Sequence, residues 1–502
     1  MKHVNGFLLL PIIVMVLTVQ NLYGQLSGNN LMEYQLGNIP QVNPRDYAAL
    51  YDQFNLQYRY NQFTGKIRLE HFMTPEAGRD YTKLTQYNLS HHSGNFGFEA
   101  GHFYETFGRG VLLRSYDIKG SVYEGRARRI KHGFYKNMNG FAARFISDKL
   151  RVKAVRGRML SGQFPPGFDY SQRWANLVEG IASIYTFAKQ NFGLTYIRNH
   201  LADSKNHFGA ININGSLPVN ISYYTEWAHA INKAEAFFHT KTDSRYAFYF
   251  NLNYNYNNLG VLIEYKDYQD FLIGTGVNEP PALVKEHGYK LLNRSTHIPQ
   301  LIDESGFQTE WYYFFPNFHT LTWNVTRLEN ELHKTFTFEE YFLEWSFPVM
   351  ENHDIKTFVD YGKEGIELIQ DRLTTGMNWN YSFGNQWSTQ SELEYQQFDR
   401  GKQSVVHVHN YLAAFSATKS GQFSVGILWE WSDDPNLADD PKTLYIEKGI
   451  THWPGINFTY WYKNHTMQLF AGKRRGGPAC TSGICYEVLD FRGVELRLIS
   501  NL

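Results

Sequence analysis

The sequence predicts an all-β fold: one large antiparallel β-barrel that crosses a membrane, with an even strand number of roughly 22 to 24. Three observations support this prediction. The N-terminus has the pattern of an export signal, most of the chain alternates apolar and polar residues over lengths that can cross a bilayer, and short links between those segments alternate with long ones.

Aromatic residues are abundant in a chain that is polar on average. Its 502 residues include 35 Tyr, 37 Phe and 11 Trp, yet the mean hydropathy is −0.44. This combination fits a wall that is apolar on one face and wet on the other. Beyond the N-terminus no run of about 20 apolar residues occurs, which argues against membrane-spanning helices. Lys plus Arg equals Asp plus Glu at 48 each, so no nucleic-acid partner is expected.

The first 24 residues resemble a cleavable signal peptide. Met1, Lys2 and His3 precede an apolar run from Phe7 to Leu17, and a plausible cleavage site follows Gly24. No Cys follows that could accept a lipid, which excludes an anchored lipoprotein. We therefore expect a cleaved signal peptide over residues 1–24, a short periplasmic segment over residues 25–50 and a single barrel over residues 51–502.

Two-residue alternation is clearest in three segments. Phe248, Phe250, Leu252, Tyr254 and Tyr256 alternate with Asn251, Asn253 and Asn255; Leu321, Trp323 and Val325 alternate with Thr320, Thr322 and Asn324; Phe423, Val425, Ile427 and Trp429 alternate with Ser424, Gly426 and Glu430. Such strands have one apolar and one polar face. A soluble β-sandwich would produce the same alternation, so this pattern alone leaves both folds open.

The order of the links separates the two folds better. Short links are predicted at 147–149, 189–191, 214–216, 257–258, 316–317, 384–385, 420–421 and 464, and long ones at 159–177, 229–243, 268–305, 362–371, 432–455 and 474–485. Membrane barrels have short periplasmic turns and longer external loops, whereas a soluble sandwich has no reason to sort its links in this way. The alternation therefore favours the barrel.

The last segment alternates to the end of the chain, with Val494, Leu496 and Leu498 on one face. It resembles the C-terminal strand that the barrel assembly machinery recognises, although it ends on Leu502 and not on an aromatic residue. If this strand runs towards the periplasm, the two cysteines before it, Cys480 and Cys485, lie outside the cell. There we expect them to form a disulfide that closes a small loop.

Three stretches resemble an uncharacterised family of outer-membrane barrels in Bacteroidota. They are HFYETFGRGVLLRSYD (102–117), NEPPALVKEHGYKLLNRSTH (278–297) and GGPACTSGICYEVLDFRGVELR (476–497). The resemblance implies a location in the cell outer membrane of a Gram-negative bacterium and supports the barrel fold. It implies no activity and no functional residue.

Charge is distributed unevenly along the chain. Residues 109–158 contain 14 Lys or Arg and three acids, and residues 339–399 contain twelve acids and three bases. Candidate lumen bases are Arg126, Arg128, Arg144, Arg151, Lys153, Arg156 and Arg158, and candidate lumen acids are Glu340, Glu344, Glu392 and Glu394. Arcs of opposite charge would create a field across the pore. Alternatively, these charges lie on loops and bind lipopolysaccharide phosphates or divalent cations.

The longest predicted link, residues 268–305, contains Glu286, His287, Arg294 and His297. It could fold inward and constrict the pore, or it could form an external cap. Two other features of the sequence are weaker. The acidic loop 433–440 is interpreted as solvated and not as a calcium site, and His407 and His409 are interpreted as polar lumen lining and not as a metal site.

None of the common hydrolase, metalloprotease or phosphate-loop motifs occurs, so the sequence predicts no catalytic residues, no metal and no cofactor. The preferred functional hypothesis is a channel or binding protein for polar or charged solutes. The alternative is a non-channel scaffold or surface-interaction barrel with a plugged lumen. Expected partners are outer-membrane lipid, lipopolysaccharide and, during biogenesis, the barrel assembly machinery.

Overall fold

The computed structural model describes residues 25–40, 42–160, 176–201, 204–231, 245–274, 276–298, 303–330, 336–365, 368–384, 386–401, 405–437, 450–481 and 484–502. The predicted signal peptide, residues 1–24, lies outside these ranges. Within them, 24 strands form one closed antiparallel sheet, which confirms the predicted fold class and places the strand number at the upper end of the expected range.

The wall strands are β1 (Gln25–Asn38), β2 (Ala48–Tyr60), β3 (Phe63–Met73), β4 (Tyr81–Ser93), β5 (Phe96–Phe103), β10 (Met138–Ile146), β11 (Leu150–Met159), β12 (Asn176–Phe187), β13 (Gln190–Leu201), β14 (Ser204–Leu217), β15 (Ile221–Ala230), β16 (Tyr246–Tyr256), β17 (Leu259–Gln269), β18 (Glu304–Phe314), β19 (Thr320–Asn330), β20 (Phe336–Met350), β21 (His353–Glu364), β22 (Ile369–Phe383), β23 (Trp387–Arg400), β24 (Val406–Lys419), β25 (Phe423–Ser432), β26 (Thr451–Tyr462), β27 (His465–Arg474) and β30 (Phe491–Asn501). Smaller elements are β6 (Thr106–Phe107), β7 (Leu113–Arg114), β8 (Tyr116–Glu124), β9 (Lys131–Lys136), helix α1 (Lys290–Arg294), a 3₁₀ turn (Pro435–Leu437), β28 (Gly477–Thr481) and β29 (Ile484–Val488).

The first and last strands close the wall. Each wall strand pairs with its neighbours in the chain, except that β5 pairs with β10 and β27 pairs with β30. β1 pairs with both β2 and β30, with Met32 opposite Leu498. Closure removes the unpaired edges, which a lipid environment does not tolerate.

The links are sorted by length between the two ends of the barrel. At one end, the short-turn end, links of two to five residues join the strands, for example 61–62, 257–258 and 463–464. Gln25 and Leu502 lie at this end too. At the other end, the long-link end, the links vary widely in length. The link at 202–203 is the length of a short turn, whereas the link at 104–137 is longer than any wall strand.

Several predicted boundaries were wrong. Residues 25–50 were expected to be a periplasmic segment, but Gln25–Asn38 is a wall strand with partners on both sides. Gly28 and Asn30 interrupt the apolar series on its outward face, which explains why alternation did not reveal it. The turn expected at 214–216 lies at 218–220, and the turn at 351–352 was missed.

The side chains divide between the two faces as the alternation predicted. Phe192 and Leu194 are exposed on the outer surface, and Asn191, Thr195 and Asn199 on the same strand face inward. Elsewhere the lumen wall near the short-turn end carries many asparagine, threonine and serine side chains. The outer surface is thus suited to lipid and this part of the lumen to water.

Three inner segments fold from the long-link end into the barrel. The first inner segment is residues 104–137 and contains β6 to β9; the second is residues 270–303 and contains α1; the third is residues 475–490 and contains β28 and β29. Each includes most of one of the three stretches that carry the family resemblance. Among the described residues, no helix has the length and apolar composition needed to span a bilayer.

Part of the interior is an apolar core. Val111, Leu112 and Leu113 of the first inner segment are fully buried, together with Val277 and Leu283 of the second. The wall residues of the same cluster include large aromatic side chains such as Phe208 and Tyr249, but many are small or medium apolar side chains, which are Ala142, Val155, Val178, Ala182, Ile197, Ala210, Ala228 and Ala247. Small wall residues leave room for the first inner segment, so this sector of the lumen is packed like the core of a soluble protein.

We predict that Leu194→Arg destabilises the barrel by about 2–4 kcal/mol, because Leu194 faces outward near the middle of β13, where a charge would contact lipid. The matched control is Asn253→Arg on the inward face of β16, which we expect to change the free energy of unfolding by less than about 1 kcal/mol. Urea-dependent unfolding in lipid vesicles measures both. Equal losses would contradict the assignment of the two faces.

Candidate functional site in the barrel interior

The second inner segment binds the acidic side of the lumen wall. At the start of α1, the backbone N–H groups of Lys290 and Leu291 both donate to the Glu394 carboxylate, at 2.8 Å each. The Lys290 ammonium lies 3.4 Å from Glu392, and the Tyr289 hydroxyl donates to Glu344 at 2.7 Å. These contacts fix α1 against β20 and β23.

A buried ionic cluster holds the same segment on its other side. The Arg372 guanidinium on β22 lies 2.8 Å from Glu340 and 2.9 Å from Asp360, and it donates to the backbone carbonyl of Ser295 at 2.6 Å. His287 Nε2 lies 3.0 Å from the other Glu340 oxygen. All four side chains of the cluster are almost fully buried. Removing the Arg372 charge would leave the buried Asp360 carboxylate without its cationic partner.

The four acids predicted to line a pore therefore have a different role. Glu340, Glu344, Glu392 and Glu394 do face inward, and each contacts the second inner segment. Their charges are directed to that segment and not across an open lumen. Spacing in the sequence could predict which face they occupy, but it could not predict that a distant loop would bind them.

The second inner segment returns to the wall through a buried histidine. His297 lies between Glu304 of β18 and Glu364 of β21, at 3.0 Å from each. Lys266 of β17 is also paired with Glu304, and the ring of Phe338 stacks on the imidazole. Burial alone would lower the pKa of His297, but the hydrogen bonds and charges of the two glutamates raise it above its ordinary value.

Of the predicted lumen bases, two form an inward ionic group. Arg144 and Lys153 lie opposite each other on β10 and β11, and both contact Glu105 of the first inner segment, at 3.3 and 2.7 Å. Arg144 also contacts Glu99, at 3.0 Å. Arg151 has the same inward register as Lys153 but lies near the short-turn end.

The other predicted bases do not line the wall. Arg156 and Arg158 face outward, because they alternate with the buried inward residues Val155, Gly157 and Met159 on one regular strand. An assignment of both Lys153 and Arg156 to the lumen was inconsistent with that two-residue alternation. Arg126 and Arg128 lie in the turn between β8 and β9, where Arg126 is 3.6 Å from Glu487.

The first inner segment makes a contact across the lumen that the sequence did not reveal. Glu226 of β15 accepts the backbone N–H of Arg109 at 3.1 Å and the Tyr224 hydroxyl at 2.6 Å. Gly108, which directly precedes Arg109, has a φ of 58°, and a Cβ there would lie 2.4 Å from the Glu226 carboxylate. The turn can approach Glu226 only because this residue is glycine.

The three inner segments also contact one another. The Arg114 N–H donates to the Val277 carbonyl at 3.0 Å, which joins the first segment to the second. Arg294 donates to the Gly476 carbonyl at 2.7 Å, which joins the second to the third. The rings of Phe134 and Tyr486 lie 4.8 Å apart and join the third to the first. The segments thus form one connected unit at the long-link end.

A polar cleft of about 260 Å³ remains between the first segment, the third segment and the wall strands β1, β27 and β30. Charged groups of both signs line it, among them Glu33, Lys131, Arg474 and Glu495. Arg474 is 3.0 Å from Glu495, and Lys131 is paired with Glu33. The cleft is lined by residues distant in sequence, so only the folded chain reveals it.

The structure places the two histidines and part of the acidic loop that the sequence analysis named. His407 and His409 face outward near the long-link end, beside Asp399 and Tyr395, so their assignment to the lumen was wrong. In the acidic loop, Asp434 is bonded to Arg400 at 2.6 Å, while residues 438–440 lie outside the described ranges. Within those ranges, no group of three or more metal-ligating side chains is placed to hold an ion.

The two cysteines lie opposite each other in the third inner segment. The backbone pairing of β28 with β29 places Cys480 directly across from Cys485. Such a position brings two Cα atoms within the range that a disulfide requires. Their side chains lie outside what the structure describes, so the disulfide stays a prediction.

Residues 1–439 match the sequence profile of a family described as Family of unknown function (DUF6029). The chain belongs to this family. No curated protein matches it significantly. The Bacteroidota origin implied by the earlier resemblance stays an expectation.

Several solved structures share the barrel fold. The Escherichia coli P pilus tip assembly intermediate PapC-PapD-PapK-PapG matches with a TM-score of 0.51 and 8% identity, over 96% of this chain and 62% of that chain. The siderophore receptor PirA from Acinetobacter baumannii gives 0.43, with 8% identity over 95% of this chain and 80% of that one. Pseudomonas aeruginosa OccK11 gives a TM-score of 0.36, with 10% identity over 68% of this chain and 91% of that one. At these identities the likeness concerns the fold alone.

We predict that Arg372→Met weakens docking of the second inner segment by about 3–5 kcal/mol, because Glu340 and Asp360 then lose their buried cation. Limited proteolysis within residues 270–303 should become correspondingly faster. The control is Arg327→Met, which removes a half-exposed outer-surface ion pair with Glu329 and should cost less than about 1 kcal/mol. Unchanged cleavage in Arg372→Met would show that this cluster does not hold the segment.

We also predict that docking of this segment weakens as pH rises. Because the pKa of His297 is raised on folding, its stabilising contribution is complete below the ordinary histidine value of about 6.5 and is lost as pH increases through the higher folded value. Proteolysis of residues 270–303, measured between about pH 6 and about pH 9, should accelerate in this direction. His297→Gln should remove most of the pH dependence, and an unaltered profile in that variant would refute the assignment.

Proposed function

We propose that this chain is an outer-membrane barrel that is closed at rest and admits polar or charged solutes when its second inner segment leaves the wall. One observation carries the proposal. The inward acids Glu340, Glu344, Glu392 and Glu394 are each bonded by the segment that occupies the lumen in front of them. Displacement of that segment would expose the acidic wall to solutes.

The size and lining of the barrel support a passage. A wall of 24 strands encloses more space than its own side chains can fill, and barrels of 16 to 18 strands already leave an aqueous channel. Towards the short-turn end the inward positions are polar and half-buried, as at Asn251 and Asn253. A lumen wall of this kind is suited to water, whereas a lumen that never opened would gain from apolar packing.

The proposed orientation places the short-turn end in the periplasm and the long-link end outside the cell, as in other outer-membrane barrels. The inner segments would then close the external side. β30 would serve as the strand recognised by the assembly machinery, and outer-membrane lipid and lipopolysaccharide would surround the wall.

A second candidate is a permanently closed barrel that binds a small polar ligand at its external side. The charged cleft of about 260 Å³ between the first and third inner segments favours it, because a lining of both charge signs would suit a zwitterionic molecule. In this case the second inner segment would be a fixed part of the scaffold.

Conductance in planar bilayers separates the two candidates. We predict a low conductance for the wild-type barrel and a several-fold larger one when residues 270–303 are replaced by a short Gly-Ser linker, since the linker cannot cover the acidic wall. Neutralising two anchors together in Glu340→Gln/Glu394→Gln should give intermittent openings. Cation preference should increase in the linker variant because the wall carboxylates become exposed, and it should increase less in the double variant, which lacks two of them.

A tethered variant provides the control. The Lys290 ammonium lies 3.4 Å from the Glu392 carboxylate, so a zero-length carbodiimide can join α1 to β23 by an amide. Crosslinking the Glu340→Gln/Glu394→Gln barrel in this way should abolish its openings, and the same treatment should leave them unchanged once Lys290→Gln removes the amine. If the linker variant conducts no better than the wild type while remaining folded, the gated-passage proposal is wrong and the closed binding barrel is favoured.

A further inference from the structure

Basic side chains are concentrated on the outer face of four neighbouring strands, β11 to β14, near the long-link end. They are Arg156, Arg158, Arg198, His200 and Lys205. The cross-strand register places Arg156, Glu179 and Arg198 in one row and Arg158, Leu177, His200 and Lys205 in the next. Among the outward positions described on these strands, Glu179 is the only carboxylate. Counting its three arginines and Lys205 against Glu179, this outer basic patch carries a net charge of +3.

Glu179 organises the patch. Its oxygens lie 3.4 Å from Arg156 Nε, 2.7 Å from Arg198 Nε and 2.9 Å from His200 Nε2. A single carboxylate thus orients three cationic or protonatable groups. The Arg156 side chain nevertheless remains 67% exposed on the membrane-facing surface. Its remaining N–H groups are directed to the surroundings of the barrel.

An apolar groove begins at this patch and continues along the outer wall. Its volume is about 420 Å³, and Arg156 lies at one end. The floor consists of the small residues Ala100, Ala143 and Ala154, and the rings of Phe98 and Phe141 line it. Phe141 is directly opposite Arg156 in the strand register. A cationic surface and an apolar groove therefore meet on the same face.

We propose that this face is a binding site for a phosphorylated membrane lipid, with the phosphate on Arg156, Arg158 and Arg198 and an acyl chain in the groove. Guanidinium groups donate paired, charge-assisted hydrogen bonds to phosphate. Basic residues at headgroup level bind anionic headgroups, and a lipid-facing charge is tolerated only near the interface. The patch supplies the positive charge, and the adjoining groove supplies the apolar contact that a free anion would not need.

The site is tested by lipid retention. The folded barrel in detergent is incubated with bisphosphorylated lipid A, with its monophosphorylated form, or with a neutral glycolipid of matched chain length, and the retained lipid is measured by native mass spectrometry. We expect retention in the order bisphosphorylated, monophosphorylated, neutral. Arg156→Gln/Arg198→Gln should weaken binding of the bisphosphorylated lipid at least about tenfold. Equal retention of all three lipids by the wild type would overturn the proposal.

Two further variants control for position and folding. Arg327→Gln on β19 removes an outward arginine at the same end of the barrel, where it is 2.8 Å from Glu329 and 3.6 Å from Glu339, and should leave lipid retention unchanged. Ala143→Phe leaves the charges intact and fills the groove floor, so it should reduce retention of the lipid several-fold. Heat-modifiable electrophoretic mobility verifies that each variant is folded.

Inorganic phosphate distinguishes a lipid site from a simple anion site. If Ala143→Phe retains the lipid like the wild type, or if millimolar phosphate displaces the lipid completely, the groove takes no part and the lipid proposal fails. If Arg327→Gln loses as much lipid as Arg156→Gln/Arg198→Gln, binding follows total charge and the proposed site does not exist. The proposal is supported if lipid is lost in Arg156→Gln/Arg198→Gln and in Ala143→Phe but not in Arg327→Gln.

Discussion

The structure depends on closure of the wall by β1 and β30. A strand in lipid must have every backbone polar group bonded to a neighbouring strand, and the pairing of Met32 with Leu498 and its neighbours meets this requirement at the last remaining edge. Closure at 24 strands has a second consequence, because the enclosed space is far wider than two facing side chains can fill. The chain fills that space at one end with its own links.

Filling the lumen from the links explains the character of the inward residues. Where the first inner segment enters, the wall carries alanine and valine, and Val111 to Leu113 pack against it as in a soluble core. Where the second inner segment enters, the wall carries glutamates, and the segment supplies backbone N–H groups, lysine, arginine and histidine. The two halves of the contact are complementary, so each segment has one preferred place on the wall.

Buried ion pairs are weak sources of net stability, since the cost of desolvating the charges offsets most of their attraction. Their effect here is on specificity. The pair of His287 with Glu340, the hydrogen bond from Arg372 to the Ser295 carbonyl, and the pairs of His297 with Glu304 and Glu364 are satisfied only when the second inner segment has one position. A contact made of such pairs is strong while complete and weak once any partner leaves. That is the property a gate requires, whereas a permanent filling could consist of apolar contacts alone.

The sequence was sufficient to predict the strands of the wall and insufficient to predict the contacts of the interior. This difference has a physical reason. Alternation is local, so Asn251 and Asn253 could be assigned to the lumen and Phe248 and Phe250 to lipid from their spacing. β1 was missed because Gly28 and Asn30 interrupt that local pattern. The bonds of Glu394 with Lys290 and of Glu226 with Arg109 join residues about a hundred positions apart. No local pattern encodes such contacts, so they emerge only from the folded chain.

The charges of β11 show how one strand serves both faces. Lys153 points into the lumen and bonds Glu105 of the first inner segment, while Arg156, three residues further, points outward beside the apolar groove. An odd separation along a regular strand always divides two residues between the faces, so a single basic stretch in the sequence can belong to two unrelated environments. Net charge over residues 109–158 therefore says nothing by itself about a field in the pore. Separated by face, the same charges anchor an inner segment on one side and present cations at the membrane boundary on the other.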